Sequence, residues 1–171
     1  MLDPKTFPLE DWLVGGKAHR YRAETKIYRD PNIIAKMEAK QAEWDAKEAV
    51  PEGMESLGDT PGPALSDEAL MAEMDAQAAT VTVVALIDSE LAKCKEALGE
   101  KPKGYVYEAD FEYWYQVIAE AAEITLPGAE PQTLTAEQWK RLHETIGAQF
   151  KLVTQAYAAA NAPDVTARFR R

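Results

Sequence analysis

His143 and Glu144 stand side by side within LTAEQWKRLHETIGAQF, residues 134–150, an order in which a metal-hydrolase helix carries a zinc ligand and its general base. Such a helix needs a second histidine four residues after the first, so that two imidazoles converge on one face. Position 147 is Gly and the only other histidine is His19, so the ligand set is incomplete and no metal is expected. His143 is expected to be a helix-flank residue touching a neighbour. Cys94 is the single cysteine, and Leu91 and Leu98 fall in line with it at helical spacing, which marks a small buried hydrophobe rather than a nucleophile. Ser56, Ser66 and Ser89 fall in a linker or at helix starts, outside any nucleophile-elbow pattern. GMESLG lacks the Lys-Ser/Thr that must follow in a phosphate-cradling loop. Acid pairs such as Glu108 and Asp110 have the chemistry for proton transfer, but acids are abundant here and are usually solvated surface. No catalytic, cofactor-binding or metal-binding residue is assigned, and the expectation is a protein that is not an enzyme.

The chain has 171 residues, enough for one domain with a sizeable core or for two small lobes with a tether. Its formal net charge of -10 is unevenly placed. Residues 1–50 carry nine Lys/Arg against nine Asp/Glu, residues 51–135 four against seventeen, and residues 136–171 six against three. So acidic a middle argues against duplex nucleic acid as a ligand, because such binding is dominated by cations neutralising phosphates. Lys17, His19, Arg20, Arg22, Lys26 and Arg29, with the terminal RFRR, are the one basic feature that points the other way. A lone cysteine excludes an intramolecular disulfide and fits a cytosolic setting. No export signal and no membrane span are expected, since no run approaches the roughly 20 apolar residues that a spanning helix needs.

The elements that would position these residues follow from periodicity and punctuation. LEDWL reads as a helical turn ended by Gly15-Gly16, and YRAETKIYR alternates with the period of two that marks a half-buried strand. Asp30-Pro31 then opens a charged helix whose apolar positions Ile34, Met37 and Trp44 thin out, so that it packs only along its first half. Residues 51–65 collect three prolines and three glycines among acids and read as a linker. It divides an N-terminal part, residues 1–50, from a helical main part, residues 66–171. Ser66-Asp67-Glu68 caps a helix with Leu70, Met71 and Met74 on one face. TVTVVALI, residues 80–87, is β-branched on both faces and reads as a buried strand that pairs with residues 21–28. Asp88-Ser89-Glu90 opens a short helix closed at Gly99. Asp110 caps FEYWYQVIAEAAEI, with Phe111, Trp114, Tyr115, Ile118 and Ala122 on its apolar face. Thr135 and Gln138 form a capping box, Leu134 and Trp139 its hydrophobic staple, and a C-terminal helix over residues 136–160 carries the stripe Trp139, Leu142, Ile146, Phe150, Val153, Tyr157 and Ala160. The fold class is therefore α+β, predominantly α-helical, with a minor two-stranded β element.

Tyr105, Tyr107, Tyr113 and Trp114 belong to the densest aromatic stretch in the chain, and more rings lie there than one helical stripe requires. Tyrosine and tryptophan are favoured at interfaces. The candidate partner-binding residues are thus Tyr105, Tyr107, Tyr113 and Trp114, together with Trp139, Phe150, Tyr157 and Phe169 toward the C-terminus.

The order of these features resembles the tail assembly chaperones of long-tailed phages that infect actinobacteria. The resemblance is carried by an F-x-L-x-x-W-L turn at residues 7–13, a basic strand, a charged helix, a Pro/Gly linker and a strand-helix unit. It is carried furthest by the ending LTAEQWKRLHETIGAQFKLVTQAYAAANAPDV. It implies a non-enzymatic protein of the infected host's cytoplasm that binds the tape-measure protein while tail-tube subunits assemble around it. The terminal RFRR departs from the smaller polar residues expected there, which bears on how that end docks. The alternative in another class is a virion structural or scaffold-like protein of the head-tail connector type.

Overall fold

A computed structural model describes residues 16–48 and 67–162. The N-terminal turn, the Pro/Gly-rich linker and Phe169 lie outside the described residues. The order is β1 (Arg22–Tyr28), α1 (Asn32–Glu48), α2 (Asp67–Gln77), β2 (Ala78–Val84), α3 (Asp88–Glu96), α4 (Phe111–Ala121), β3 (Ala122–Thr125), α5 (Ala136–Ile146) and α6 (Phe150–Asn161). This is an α+β fold, mostly helical, around one small antiparallel sheet.

Residues 21–28 do pair with the β-branched strand, β1 and β2 running antiparallel with Thr25 opposite Val81, but that strand is Ala78–Val84 rather than 80–87, since its pairing with β1 begins at Ala78 and ends at Val84. The sheet has three strands in the order β1-β2-β3, however, not two. The sequence predicts that the α4 helix continues to Ile124, whereas its backbone becomes extended at Ala122, with φ −116° and ψ 147°. Val81 and Val83 of the central strand pair there with Ile124 and Ala122. That pairing overrides the helical propensity of an Ala/Glu-rich segment, as tertiary context routinely does.

Period-two alternation puts Ala23, Thr25, Ile27, Ala79, Val81, Val83, Ala122 and Ile124 on one face of the sheet. Helix α6 lies across β1 and β2 on this face, and α4 wedges between the sheet, α3, α5 and α6. The resulting core includes Val81, Val83, Val117, Ile118, Trp139, Phe150 and Val153, none more than 1% exposed. A second, smaller cluster of Ile33, Leu70 and Met74 joins the start of α1 to α2, with Tyr28 and Ile34 at its rim. Beyond it α1 exposes Trp44, as its thinning stripe predicts, and also Met37, which lies in the half expected to pack.

Two further expectations are corrected. The apolar face of α4 is rotated and wider than predicted. Phe111 is 59% exposed, while Tyr113 and Val117, outside the predicted stripe, are buried. Enclosure by several neighbours buries more of this helix than the single stripe of a surface helix. The C-terminal helix is two helices, because Gly147 adopts φ 55° and ψ −125° and a 3-10 turn follows it through Gln149. The break lets α5 pack on α4 while α6 turns onto the sheet.

Candidate partner-binding surface

Four of the eight predicted partner-binding residues are core. Trp139 is 0% exposed, Phe150 1%, Tyr113 4% and Tyr157 8%, so in the folded chain their rings are spent on packing α4, α5 and α6 together. A surface role for them is therefore a misassignment, whose physical reason is that a Trp/Phe/Tyr stripe serves a helix-helix seam as well as an interface. Tyr105, Tyr107 and Trp114 are half-buried, and these three do share one surface.

That surface is built around the start of α4. Asp110 caps the helix by accepting from the Glu112 N–H at 2.9 Å. The same carboxylate accepts a short hydrogen bond from the Tyr105 hydroxyl. This bond holds the Asp110 carboxyl below the usual carboxylate range and pushes the Tyr105 phenol up. Tyr105 meets Tyr107 edge-on at 5.1 Å between ring centroids, and Tyr107 meets Tyr113 at 5.5 Å. Lys101 lies over the Tyr105 ring and Lys95 over the Tyr107 ring, at 5.0 and 5.1 Å. Trp114 donates its indole N–H to the Glu108 carbonyl at 2.9 Å and packs edge-on against Tyr157. Between these anchored rings Val106 stands 59% exposed.

On the other side of the α4 start, Phe111 projects above a stack that the sequence did not reveal. The His143 ring lies on Phe150 at 4.4 Å with the planes 19° apart, and Phe111 is 5.1 Å from His143. The Tyr115 hydroxyl and His143 Nδ1 are hydrogen-bonded at 2.8 Å. Lys140 and Glu112 close the seam of α5 and α4 with an ion pair of 2.7 Å. His143 thus does touch a neighbour from the helix flank. The apolar character of Phe111 was legible, but its exposure depends on the rotation of α4.

The other chemical candidates are occupied elsewhere. Cys94 is buried, and desolvation pushes its thiol up, away from the reactive thiolate. The N-terminal cations face carboxylates: Lys17 with Glu120 at 2.6 Å, Arg20 with Glu90 at 2.5 Å, Lys26 with Asp75 at 3.6 Å and Arg22 with Glu123 at 4.0 Å. The Arg20 hydrogen bond holds the Glu90 carboxyl below its ordinary range. These pairs offset part of the basic face on which a phosphate backbone would rely. Among the described residues no group of three or more His, Cys, Asp or Glu is arranged to hold a metal, and no helix is long and apolar enough to cross a membrane. An apolar concavity of about 350 Å³ lies between β3 and α5, lined in part by Ile124, Leu126, Leu134 and Leu142. What this geometry offers is contact area for apolar side chains, held on rigid elements.

No family model, curated protein or solved structure matches the chain.

Proposed function

We propose that the chain is a tail assembly chaperone of a long-tailed phage, which binds the tape-measure protein in the host cytoplasm while tail-tube subunits assemble. The observation that carries this reading from the structure is the rim of the α4 start. Val106 and Phe111 are each 59% exposed there, on aromatic residues fixed by packing and hydrogen bonds. Ordered aromatic and aliphatic anchors of this kind lose little side-chain freedom when a client's apolar stripe covers them. A net charge of -10 favours solubility of the loaded complex. The identity of the client is what the resemblance to the tail assembly chaperones implies.

Co-expression with the product of a neighbouring tape-measure gene, followed by capture on a tag, tests the reading. Wild-type protein is expected to retain the client. Val106→Ser with Phe111→Ser is expected to lose it while keeping wild-type helicity and melting. Retention by that double variant would remove the α4 rim as the binding surface. Mass spectrometry of purified particles separates the chaperone from a virion component: a stoichiometric amount of this chain in the particle sinks the chaperone reading in favour of a structural one.

A further inference from the structure

The sheet has two edges, and they are treated differently. On β3, Ile124 donates to the Gln132 carbonyl at 2.8 Å and accepts from the Gln132 N–H at 2.9 Å, which closes that side. On β1 the orientation of each residue follows from two contacts. Arg29 donates to the Gln77 carbonyl, so Ala23, Thr25 and Ile27 share its phase and direct their backbone groups at β2. Arg22, Glu24, Lys26 and Tyr28 therefore direct theirs outward. At Tyr28 both groups are taken by one side chain: Gln149 Oε1 accepts the N–H at 2.8 Å and Nε2 donates to the carbonyl at 2.9 Å. Gln149 is thus a substitute for a neighbouring strand at that single position. At Arg22, Glu24 and Lys26 the outward backbone groups have no hydrogen-bond partner among the described residues.

We infer that this edge, open among the described residues, pairs antiparallel with β1 of a second copy, with Arg22 opposite the partner's Glu24 and Glu24 opposite the partner's Arg22, about a two-fold axis at Ala23. The side chains alternate plus, minus, plus along Arg22, Glu24 and Lys26; the pairs of Arg22 with Glu123 at 4.0 Å and of Lys26 with Asp75 at 3.6 Å are long and solvent-exposed, which leaves both cations open to a closer carboxylate, so charge decides among the symmetric registers. A register that sets Glu24 against the partner's Glu24 also sets Arg22 against the partner's Lys26, and like charges directly opposite are repulsive. A register that sets Glu24 against the partner's Lys26 carries Arg22 onto the partner's Tyr28, where the Gln149 amide already occupies the edge. The Arg22-to-Glu24 register sets opposite charges against each other within β1 and keeps clear of Gln149; Lys26 then falls opposite the partner's Arg20, which lies outside the strand and is held by Glu90 at 2.5 Å. It joins two three-stranded sheets into one of six strands and removes the unpaired edge that otherwise invites unspecific pairing.

Sedimentation equilibrium of the full chain at moderate salt tests this, with circular dichroism as the folding control. Wild-type is expected to show a concentration-dependent monomer-dimer equilibrium. Arg22→Glu alone and Glu24→Arg alone are each expected to weaken it about tenfold, because two cross-strand pairs turn repulsive. The combined swap is expected to restore it. A wild-type chain that is monomeric at every concentration overturns the inference. So does a dimer indifferent to the single swaps, or one that the combined swap of a folded chain fails to restore.

Discussion

Gln149 is the one buried polar side chain among the described residues, and its amide satisfies two backbone groups of Tyr28 at once. A buried donor or acceptor stripped of its partner costs about 1–3 kcal/mol. Gln149→Leu keeps the bulk but strips both groups, so it is expected to lower the unfolding free energy by about 2–4 kcal/mol in urea titrations. A loss near zero would mean that water reaches the Tyr28 backbone. Tyr113 makes a pH prediction of defined sign. Burial pushes its phenol up to about 12, whereas an unfolded tyrosine ionises near 10. Above about pH 10 the unfolded chain has therefore released a proton that the folded chain still holds, and stability falls as pH rises toward the folded value. Tyr115 and Tyr157, also pushed up by burial, steepen the same decline. Tyr113→Phe is expected to make the alkaline decline shallower in thermal melts, without changing the slope below about pH 9. An unchanged alkaline slope would mean that the phenol ionises at its ordinary value.

Helix α5 shows how much an element can announce. Its capping box forms as the sequence predicts, with the Gln138 N–H donating to Thr135 Oγ1 at 3.2 Å and the Thr135 N–H donating to Gln138 Oε1 at 2.9 Å. Such local grammar is legible because it lies within four residues of sequence. Where α5 stops was not legible. The apolar stripe runs through Ile146 to Phe150 without a missed beat, and only Gly147 hints at a break. The change of direction comes from the separate surfaces that α5 and α6 cover, which no periodicity records. The same holds for β3, where a helix-like Ala/Glu pattern yields to strand pairing, and for Phe111, whose exposure depends on how many neighbours enclose α4. Of the candidate surface, Tyr105 and Tyr107 were readable as rings beyond what one stripe requires, Trp114 as part of that stripe and His143 as a helix-flank residue touching a neighbour, while Val106 and the stack of His143 on Phe150 became visible only with the packing. Gly147 carries the element-scale prediction. Its positive φ disfavours any side chain, although a Cβ there would meet no atom within 4 Å. Gly147→Ala is expected to destabilise by about 1–3 kcal/mol through backbone strain alone. Chemical denaturation measures it, and an unaltered midpoint would show that the turn relaxes without cost.

The described residues are held together by two clusters of unequal size. Nineteen buried residues join the sheet to α3, α4, α5 and α6, whereas three join the start of α1 to α2. Burying one large apolar side chain contributes about 1.5–3 kcal/mol, so the small cluster is stabilised by only a few such increments. Among the described residues its other ties include the Arg29 hydrogen bond to the Gln77 carbonyl and two ion pairs, Lys36 with Glu73 at 2.9 Å and Lys26 with Asp75 at 3.6 Å, both largely solvent-screened. The two clusters meet near Tyr28, at the end of β1, and a narrow junction favours opening of the smaller one by itself. Met74→Ala removes a side chain that is 5% exposed at the centre of that cluster. A cavity of this kind costs about 2–5 kcal/mol, comparable to everything the cluster contributes. Hydrogen exchange on this variant is expected to show α1 and α2 losing protection while β2, α4 and α6 keep theirs, with the main melting transition moved by no more than a few degrees. Val81→Ala, in the central strand, is expected instead to lower protection throughout. If Met74→Ala also does so, α1 and α2 unfold together with the sheet rather than ahead of it.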